Sequence, residues 1–330
     1  MTPLLLDPVL VAKPWGGRRL AGLGVDLPAD GRTYGEAWVV ADLDPADTVQ
    51  PDPASRVRSG PWASRRLSDL VAEDRESLLG DVPDHDGRFP LLVKLLDARE
   101  HLSVQVHPPA AVLDDHPSAR LKTESWVVLE ADPGAELFLG LADDVTHDQV
   151  RDALGTPALV DLLRRVPAHA GEVFHVPAGL VHALGAGVVV AEVQTPSDTT
   201  WRLYDWVAEL DRPERELHLD AGWDAIAAAW EVNTTPVVPE TGRPRLLDTA
   251  HYVVDRLDLA TDQPLPEPDD DRRPRVVMVL EGGLGWGRER LGPGGVVLVP
   301  PGPTGPHDSR PRATTDTTVL VVVPGPGHRA

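Results

Sequence analysis

Hydrophobic and polar residues alternate with a period of two along several short stretches of this chain, as in half-buried strands. Residues 35–42 place Glu36, Trp38 and Val40 on one face. Residues 89–96 are apolar almost throughout, with Lys94 the exception, and read as a buried strand. In residues 101–107 the alternation sets Leu102, Val104 and Val106 against His101, Ser103, Gln105 and His107. Pro108-Pro109 ends that strand, because proline cannot donate to a ladder. Further strands are expected at 122–129, with Lys122, Glu124 and Trp126 sharing a face, and at 171–179. The series continues at 188–194, with Glu192 and Gln194 on one face, and at 200–204, with Arg202 on the face of Thr200 and Tyr204.

Helical spacing occurs in fewer places. Leu67, Leu70, Val71, Leu78 and Leu79 predict a helix over 67–79. Residues 143–165 read as two short helices separated by Gly155, with Thr146 and Thr156 as N-caps and Pro157 at a first helical position. Another helix is expected over 221–231. Beyond Asn233 the composition shifts. A proline- and acid-rich stretch at 262–274 reads as a flexible surface loop, and strands are expected at 251–259, 275–281, 295–299 and 317–323. Residues 294–302 echo 171–179 as glycine, apolar strand and Pro-x-Gly turn. His182 follows the first copy, whereas the second has only the more distant His307. The expectation is a mainly β chain with helical insertions: a first domain over 1–232, and a second β-domain without a metal site over 233–330.

Charge narrows the partners. The net charge of −21 disfavours nucleic acid and anionic membranes, and an anionic ligand would need a local cluster of cations. No apolar run approaches the roughly 20 residues that span a bilayer. No signal peptide is read at the start, so a cytoplasmic location is expected. The chain has no cysteine, so any metal must be held by histidine, carboxylate or amide oxygen. Of 31 basic residues only Lys13, Lys94 and Lys122 are lysines. In a chain that uses arginine as its general cation, lysine marks places where a compact ammonium is needed. Lys94 and Lys122 flank the 101–107 strand and are singled out on that ground. Three residues are few, and strand-flanking lysines are ordinary.

Gln105, His107, Glu124 and His182 are candidate metal ligands. Two imidazoles, a carboxylate and an amide oxygen suit a borderline divalent ion such as zinc. By spacing alone each histidine reads more readily as a structural hydrogen-bonder than as a ligand. The other histidines outside this set, such as His101, His175 and His218, receive no role. The tryptophans, including Trp15, Trp38 and Trp62, read as core, with Trp15 beside Gly16-Gly17 a candidate for a pocket rim.

Residues 90–98, 102–108, 122–126, 176–184, 192–194 and 197–205 follow the order of motifs in type I mannose-6-phosphate isomerases, and the chain resembles the short bacterial form of that family over about residues 13–206. The resemblance implies a cupin fold: a metal-holding β-barrel with helical insertions and a second, degenerate barrel. It implies one zinc ion, or another divalent metal, on Gln105, His107, Glu124 and His182. It also implies an active-site Arg202, with Glu192, Lys122, Lys94 and Ser103 lining the substrate pocket. The chain departs from the usual pattern at Leu180, Thr195 and Trp201, none of which is a candidate ligand.

The family reaction interconverts mannose 6-phosphate and fructose 6-phosphate by moving a proton between C2 and C1 through a cis-enediol. On that basis Lys122 and Glu192 are the candidate proton shuttles. Arg202 clamps the phosphate with Lys94 and Ser103, or stabilises the enediolate, or pairs only with Asp205. Two alternatives stand beside the isomerase: a non-catalytic cupin that binds a sugar phosphate as a sensor, and an isomerase of a different or unphosphorylated sugar. The partner is a small sugar phosphate, with monomer and homodimer both open.

Overall fold

The strand Val188–Gln194 is buried along its whole length, and its two faces meet different neighbours. Val189, Ala191 and Val193 enter a core shared with Leu4, Leu6, Val276, Met278, Leu320 and Val322. Val188 and Val190 point the other way, toward Leu96, Trp126, Val128, Leu137, Leu139 and Leu184. Period-two geometry places Glu192 and Gln194 on this second side. A strand buried on both faces must be central to its sheet, and this one is.

This computed structural model describes residues 1–237, 244–267, 272–302 and 310–325. It is mainly β, 38% strand and 16% helix. Val188–Gln194 pairs with Glu124–Ala131 on one side and Leu92–Ala98 on the other, both antiparallel. Val173–Val176 and Pro236–Val237 extend the sheet beyond the first neighbour, and Val9–Gly17 and Tyr34–Val40 beyond the second. A five-stranded sheet lies across its inner face, in the order Trp201–Tyr204, Val104–Val106, His182–Leu184, Glu136–Leu141 and Leu163–Pro167. The chamber between these two sheets holds every candidate site residue.

A second seven-stranded sheet packs on the outer face. It comprises Arg245–Asp248, Tyr252–Leu259, Thr317–Pro324, Arg275–Glu281, Val296–Val299, Leu4–Asp7 and Arg56–Val57. Its far side packs on a three-stranded sheet of Glu289–Leu291, Leu284–Trp286 and Arg312–Ala313. That second interior is apolar, filled by Leu5, Val277, Val279, Leu284, Val297 and Val319 among others.

The helix Leu67–Leu79 has the expected bounds, and its five apolar positions are all buried. Thr146 caps His147–Ala153 reciprocally with Gln149. The repeat is visible in three dimensions: both copies form a strand, and Gly179 and Gly302 adopt φ of +88° and +89° in the turns that follow.

Several expectations need correction. Helices account for only part of 143–165: His147–Ala153 and Ala158–Asp161 are helical, but the chain then joins Glu136–Leu141 as the strand Leu163–Pro167. That pairing is tertiary, and local spacing does not contain it. In 101–107 only Val104–Val106 is strand. Arg212 takes the His101 carbonyl at 3.0 Å, and the Trp206 indole takes that of Leu102 at 2.8 Å, so side chains replace a ladder there. His101 consequently leaves the polar face and stacks on Trp206. The last helix is Leu219–Ala228, two residues earlier than expected at its start. Strands on either side of residue 232 pair with one another: Leu4–Asp7 with Val296–Val299, and Pro236–Val237 with Val173–Val176. In the stretch 262–274, residues 268–271 lie outside the described residues, as does His307. Leu265 of that stretch is fully buried, and its amide donates to the Pro311 carbonyl.

Gly179 joins the fold to the site. Its amide donates to the carbonyl of His107 at 2.9 Å, tying the end of one ligand strand to the turn that leads to His182. A Cβ here would sit 2.2 Å from that of Ala229. Gly179→Ala should therefore lower stability by about 3 kcal/mol, combining a left-handed backbone with overpacking. Gly134→Ala, at φ of +82° but in open space, should cost only about 1 kcal/mol. Urea denaturation of both variants checks the difference, and equal losses would contradict the packing argument.

Candidate active site

Two antiparallel registers converge on one point. In the five-stranded sheet His182 and Arg202 both lie opposite Gln105. Across the chamber Glu124 lies opposite Gln194 and Val176. His107 follows directly after its strand. One ligand atom from each of His107, Glu124 and His182 lies within 4.8 Å of the other two, and the three residues are buried.

The protonation pattern of this cluster is informative. His107 donates Nδ1–H to the Thr199 carbonyl at 3.0 Å, and His182 donates Nδ1–H to that of Leu180 at 2.8 Å. Each Nε2 therefore presents a lone pair. These nitrogens face Glu124, at 3.2 Å from Oε2 and 3.4 Å from Oε1 respectively. Burial, reinforced for His107 by Lys122, pushes both imidazoles below their usual range, His107 to about 3. Burial pushes the Glu124 carboxyl up, but Lys122 and His107 outweigh it and hold it ionised. Three acceptors thus face one another with no hydrogen between them. His107 Nε2 and both Glu124 oxygens are buried without a hydrogen-bond partner. Unpaired buried acceptors are costly, and a divalent cation among them satisfies all three. Gln105 sits at the edge of the cluster, with Nε2 3.3 Å from His182 Nε2. Turning its amide over would present Oε1 toward the three-residue group that could hold a metal ion. Lys122 also meets the cluster, with Nζ 3.0 Å from Glu124 Oε2.

A row of side chains crosses the opposite wall on adjacent strands. Trp38 pairs in register with Lys94, Lys94 with Glu192, and Glu192 with Trp126. The indoles carry the carboxylates, Trp38 donating to Glu36 at 2.7 Å and Trp126 to Glu192 at 3.1 Å. Lys94 Nζ lies between them, 3.5 Å from Glu36 and 3.4 Å from Glu192. Burial alone would lower the affinity of this lysine for its proton, but Glu36 and Glu192 reverse that and keep it an ammonium. Glu36 is likewise pushed up by burial and brought well below the usual carboxylate range by Lys13 and Lys94. Glu192 moves the other way: burial, and then the charge of Glu124, raise it.

Both walls open on a cavity of about 210 Å³. All three lysines of the chain line it, as do Ser103, Gln105, Glu192 and Arg202. The scarcity of lysine thus picked out one site, although Lys13 had not been included. Ser103 donates to Gln105 Oε1 at 3.2 Å. Arg202 is anchored through NH1 to the Glu216 carbonyl at 2.8 Å, while its Nε is buried without a hydrogen bond. Asp205 is 4.0 Å from that Nε, so the pairing of Arg202 with Asp205 is loose. Lys13, Glu36, Asp198 and Arg215 also line the cavity and were not singled out from sequence. Glu36 shares a strand face with Trp38, which was the available signal. Arg215 lies in an irregular stretch with no periodicity to read. Trp15 is both buried and part of the lining, and Trp38 is buried in the core.

The chain is similar to known proteins in sequence and in fold. Residues 4–124 match the family described as phosphomannose isomerase type I, catalytic domain. The chain is 37% identical over 236 residues to a mannose-6-phosphate isomerase of Streptococcus mutans, covering 71% of each chain. The chain belongs to the type I mannose-6-phosphate isomerase family. A Bacillus subtilis mannose-6-phosphate isomerase is 36% identical over 244 residues, covering 72% of this chain and 70% of the relative. The crystal structure of a mannose 6-phosphate isomerase from Bacillus subtilis superposes with a TM-score of 0.76 at 25% identity, over 98% of this chain and 99% of that one. A mannose 6-phosphate isomerase structure bound with zinc and yttrium shares the fold, with a TM-score of 0.69 at 16% identity over 98% and 100% of the two chains. The stretch matched by the family model ends at Glu124, so His182, Glu192 and Arg202 are supplied by later strands.

The ligand geometry makes a direct prediction. Wild-type protein loaded with zinc and dialysed should retain the ion, and His182→Ala should bind it at least about a hundredfold more weakly. Metal analysis by mass spectrometry, with a thermal melt to confirm folding, checks this. Equal metal retention in a folded variant would rule out His182 as a ligand.

Proposed function

We propose that this protein interconverts mannose 6-phosphate and fructose 6-phosphate, as a zinc-dependent aldose–ketose isomerase working through a cis-enediol. The observation that carries the reading is the buried His107–Glu124–His182 cluster, joined through Gln105 and Lys122 to a small cavity that gathers every lysine of the chain. Membership of the family supports it, as does the donor set of two imidazoles, a carboxylate and an amide, which suits zinc. We read the two inner sheets as a cupin barrel and the C-terminal pair as a degenerate second one, with the domain division near residue 232 and Leu4–Asp7 assigned to the second. The protein is placed in the cytoplasm, where its cysteine-free, strongly acidic chain has neither nucleic acid nor membrane as partner.

A divalent ion held by Gln105, His107, Glu124 and His182 supplies Lewis acidity toward the substrate carbonyl. The remaining work falls to the chain. Moving a proton between C2 and C1 needs a base with raised proton affinity in a dry site. Glu192 fits, because burial and Glu124 raise it and its Oε1 is buried without a hydrogen-bond partner. Lys122 stands at the metal carboxylate, placed to move a proton at the substrate oxygens. Lys94, fixed between two carboxylates, orients the sugar with Ser103. Arg202 has a bare Nε to offer an anion, the phosphate or the enediolate.

One coupled assay tests the reading. Zinc-loaded protein given fructose 6-phosphate should form mannose 6-phosphate, and a chelator should abolish turnover until zinc is restored. Tight sugar-phosphate binding without turnover would instead identify a sensor, and equal turnover of free mannose would identify a different substrate. Arg202→Ala should keep its metal while kcat/KM falls roughly 100-fold or more, the scale of a lost charge-assisted contact made in the transition state. Metal analysis and steady-state kinetics on the same preparation separate the two effects.

A further inference from the structure

The five cations that line the cavity are not equally committed. Lys13 and Lys94 are spent on Glu36 and Glu192, and Lys122 on Glu124. Arg202 and Arg215 remain. Asp205, almost wholly buried with 1% of its side chain exposed, is the carboxylate that ion-pairs with both. Arg215 forks onto it, Nε meeting Oδ2 at 2.6 Å and NH2 meeting Oδ1. Arg202 Nε is 4.0 Å from the same Oδ2, and Arg212 NH1 is 3.6 Å from Oδ1. Three guanidiniums therefore share one buried carboxylate. Glu100 offsets one of them through Arg212, and the exposed Glu216 gives Arg202 only its carbonyl as a hydrogen-bond acceptor. Within this ion-paired group three guanidiniums face two carboxylates, Asp205 and Glu100, in a protein whose net charge is −21; Asp198 lies elsewhere on the cavity lining.

The geometry points to Arg215 as a second arginine of the phosphate-binding end, held by Asp205 beside Arg202 to receive the dianion. This rests on the reading of the ligand as a sugar phosphate. The fork uses Nε and NH2, leaving NH1 outside it, and a phosphate takes donors from two guanidiniums at once. The segment that carries Arg215 is fixed beforehand: Arg212 and Trp206 bind the carbonyls of His101 and Leu102. The same contacts that end the ladder at residue 104 thus set the arginine in place, so little ordering is needed when a ligand binds. Burial and the neighbouring Arg215 both lower the proton affinity of Arg202, a mutual repulsion that an anion between them would relieve.

Calorimetry with inorganic phosphate and with fructose 6-phosphate, on the zinc-loaded wild type, Arg215→Ala and Arg215→Lys, tests this. Affinity for both ligands should fall roughly 10- to 100-fold in Arg215→Ala, the scale of a charged hydrogen bond, and by less in Arg215→Lys, which keeps the charge but not the fork. Where turnover is measured, KM should rise more than kcat falls. Thermal melts and metal content report whether each variant is folded. If Arg215→Ala does not fold, Arg215→Lys decides alone, through a drop in phosphate affinity or its absence. Unchanged phosphate affinity in a folded variant, or no phosphate binding by the wild type, would overturn the assignment. Phosphate binding that depends on Arg215 in a protein without turnover would leave it standing and remove the isomerase reading instead.

Discussion

The site depends on charges buried in mutual compensation. Lys94 would shed its proton in an apolar interior, and Glu36 and Glu192 would take one up. Placed together, Lys94 and Glu36 stay ionised, and the indoles of Trp38 and Trp126 supply further donors to the two carboxylates. Such a group adds little net stability, because desolvation consumes much of the Coulombic gain. Its effect is geometric: removing any one member strands its partner, so the row has few alternative arrangements. Glu192 is the exception, raised rather than lowered, and it stands where Lys94 on one side and Glu124 on the other pull its proton affinity in opposite directions.

The two interiors show the same kind of packing put to different uses. Between the first pair of sheets the inward positions include Lys94, Glu124, His182 and Glu192. Between the second pair they are Val277, Val279, Val297 and Val319. The strand-and-turn repeat is common to both, down to the left-handed glycine. What differs is the chemistry of the residues that period-two geometry turns inward. An apolar chamber needs no partner for its side chains and can close completely, whereas the polar one keeps a cavity.

Much of this was legible in the sequence. Alternation gave Val188–Gln194 its bounds and put Glu192 and Gln194 on one face. Helical spacing gave Leu67–Leu79, and the use of arginine elsewhere made Lys94 and Lys122 conspicuous. What escaped reading depended on partners distant in the chain. Ser103 lies just before its strand because Arg212 and Trp206 occupy the carbonyls of the preceding residues. Leu163–Pro167 is a strand because Glu136–Leu141 is available to pair with it. Arg215 is placed by a buried carboxylate ten residues earlier, a contact that no periodicity announces.

The pairing of Leu4–Asp7 with Val296–Val299 bears on how the chain is made. Leu4–Asp7 lies between a neighbour close in sequence, Arg56–Val57, and one far along the chain, Val296–Val299, so its second edge is paired only after most of the intervening strands have been made. Until the later strand is made, Leu4–Asp7 has a neighbour on one edge only, Arg56–Val57, and an open apolar edge is the kind of surface on which nascent chains associate wrongly. The outer face of the inner sheet, with Val189, Ala191 and Val193, is equally bare in the absence of the C-terminal strands. The strands of the inner chamber are all synthesised earlier, but the chamber lacks its backing until the end of the chain arrives. Completing the pairing of Leu4–Asp7 is thus a late, long-range step, and one apolar edge stays open until Val296–Val299 is made.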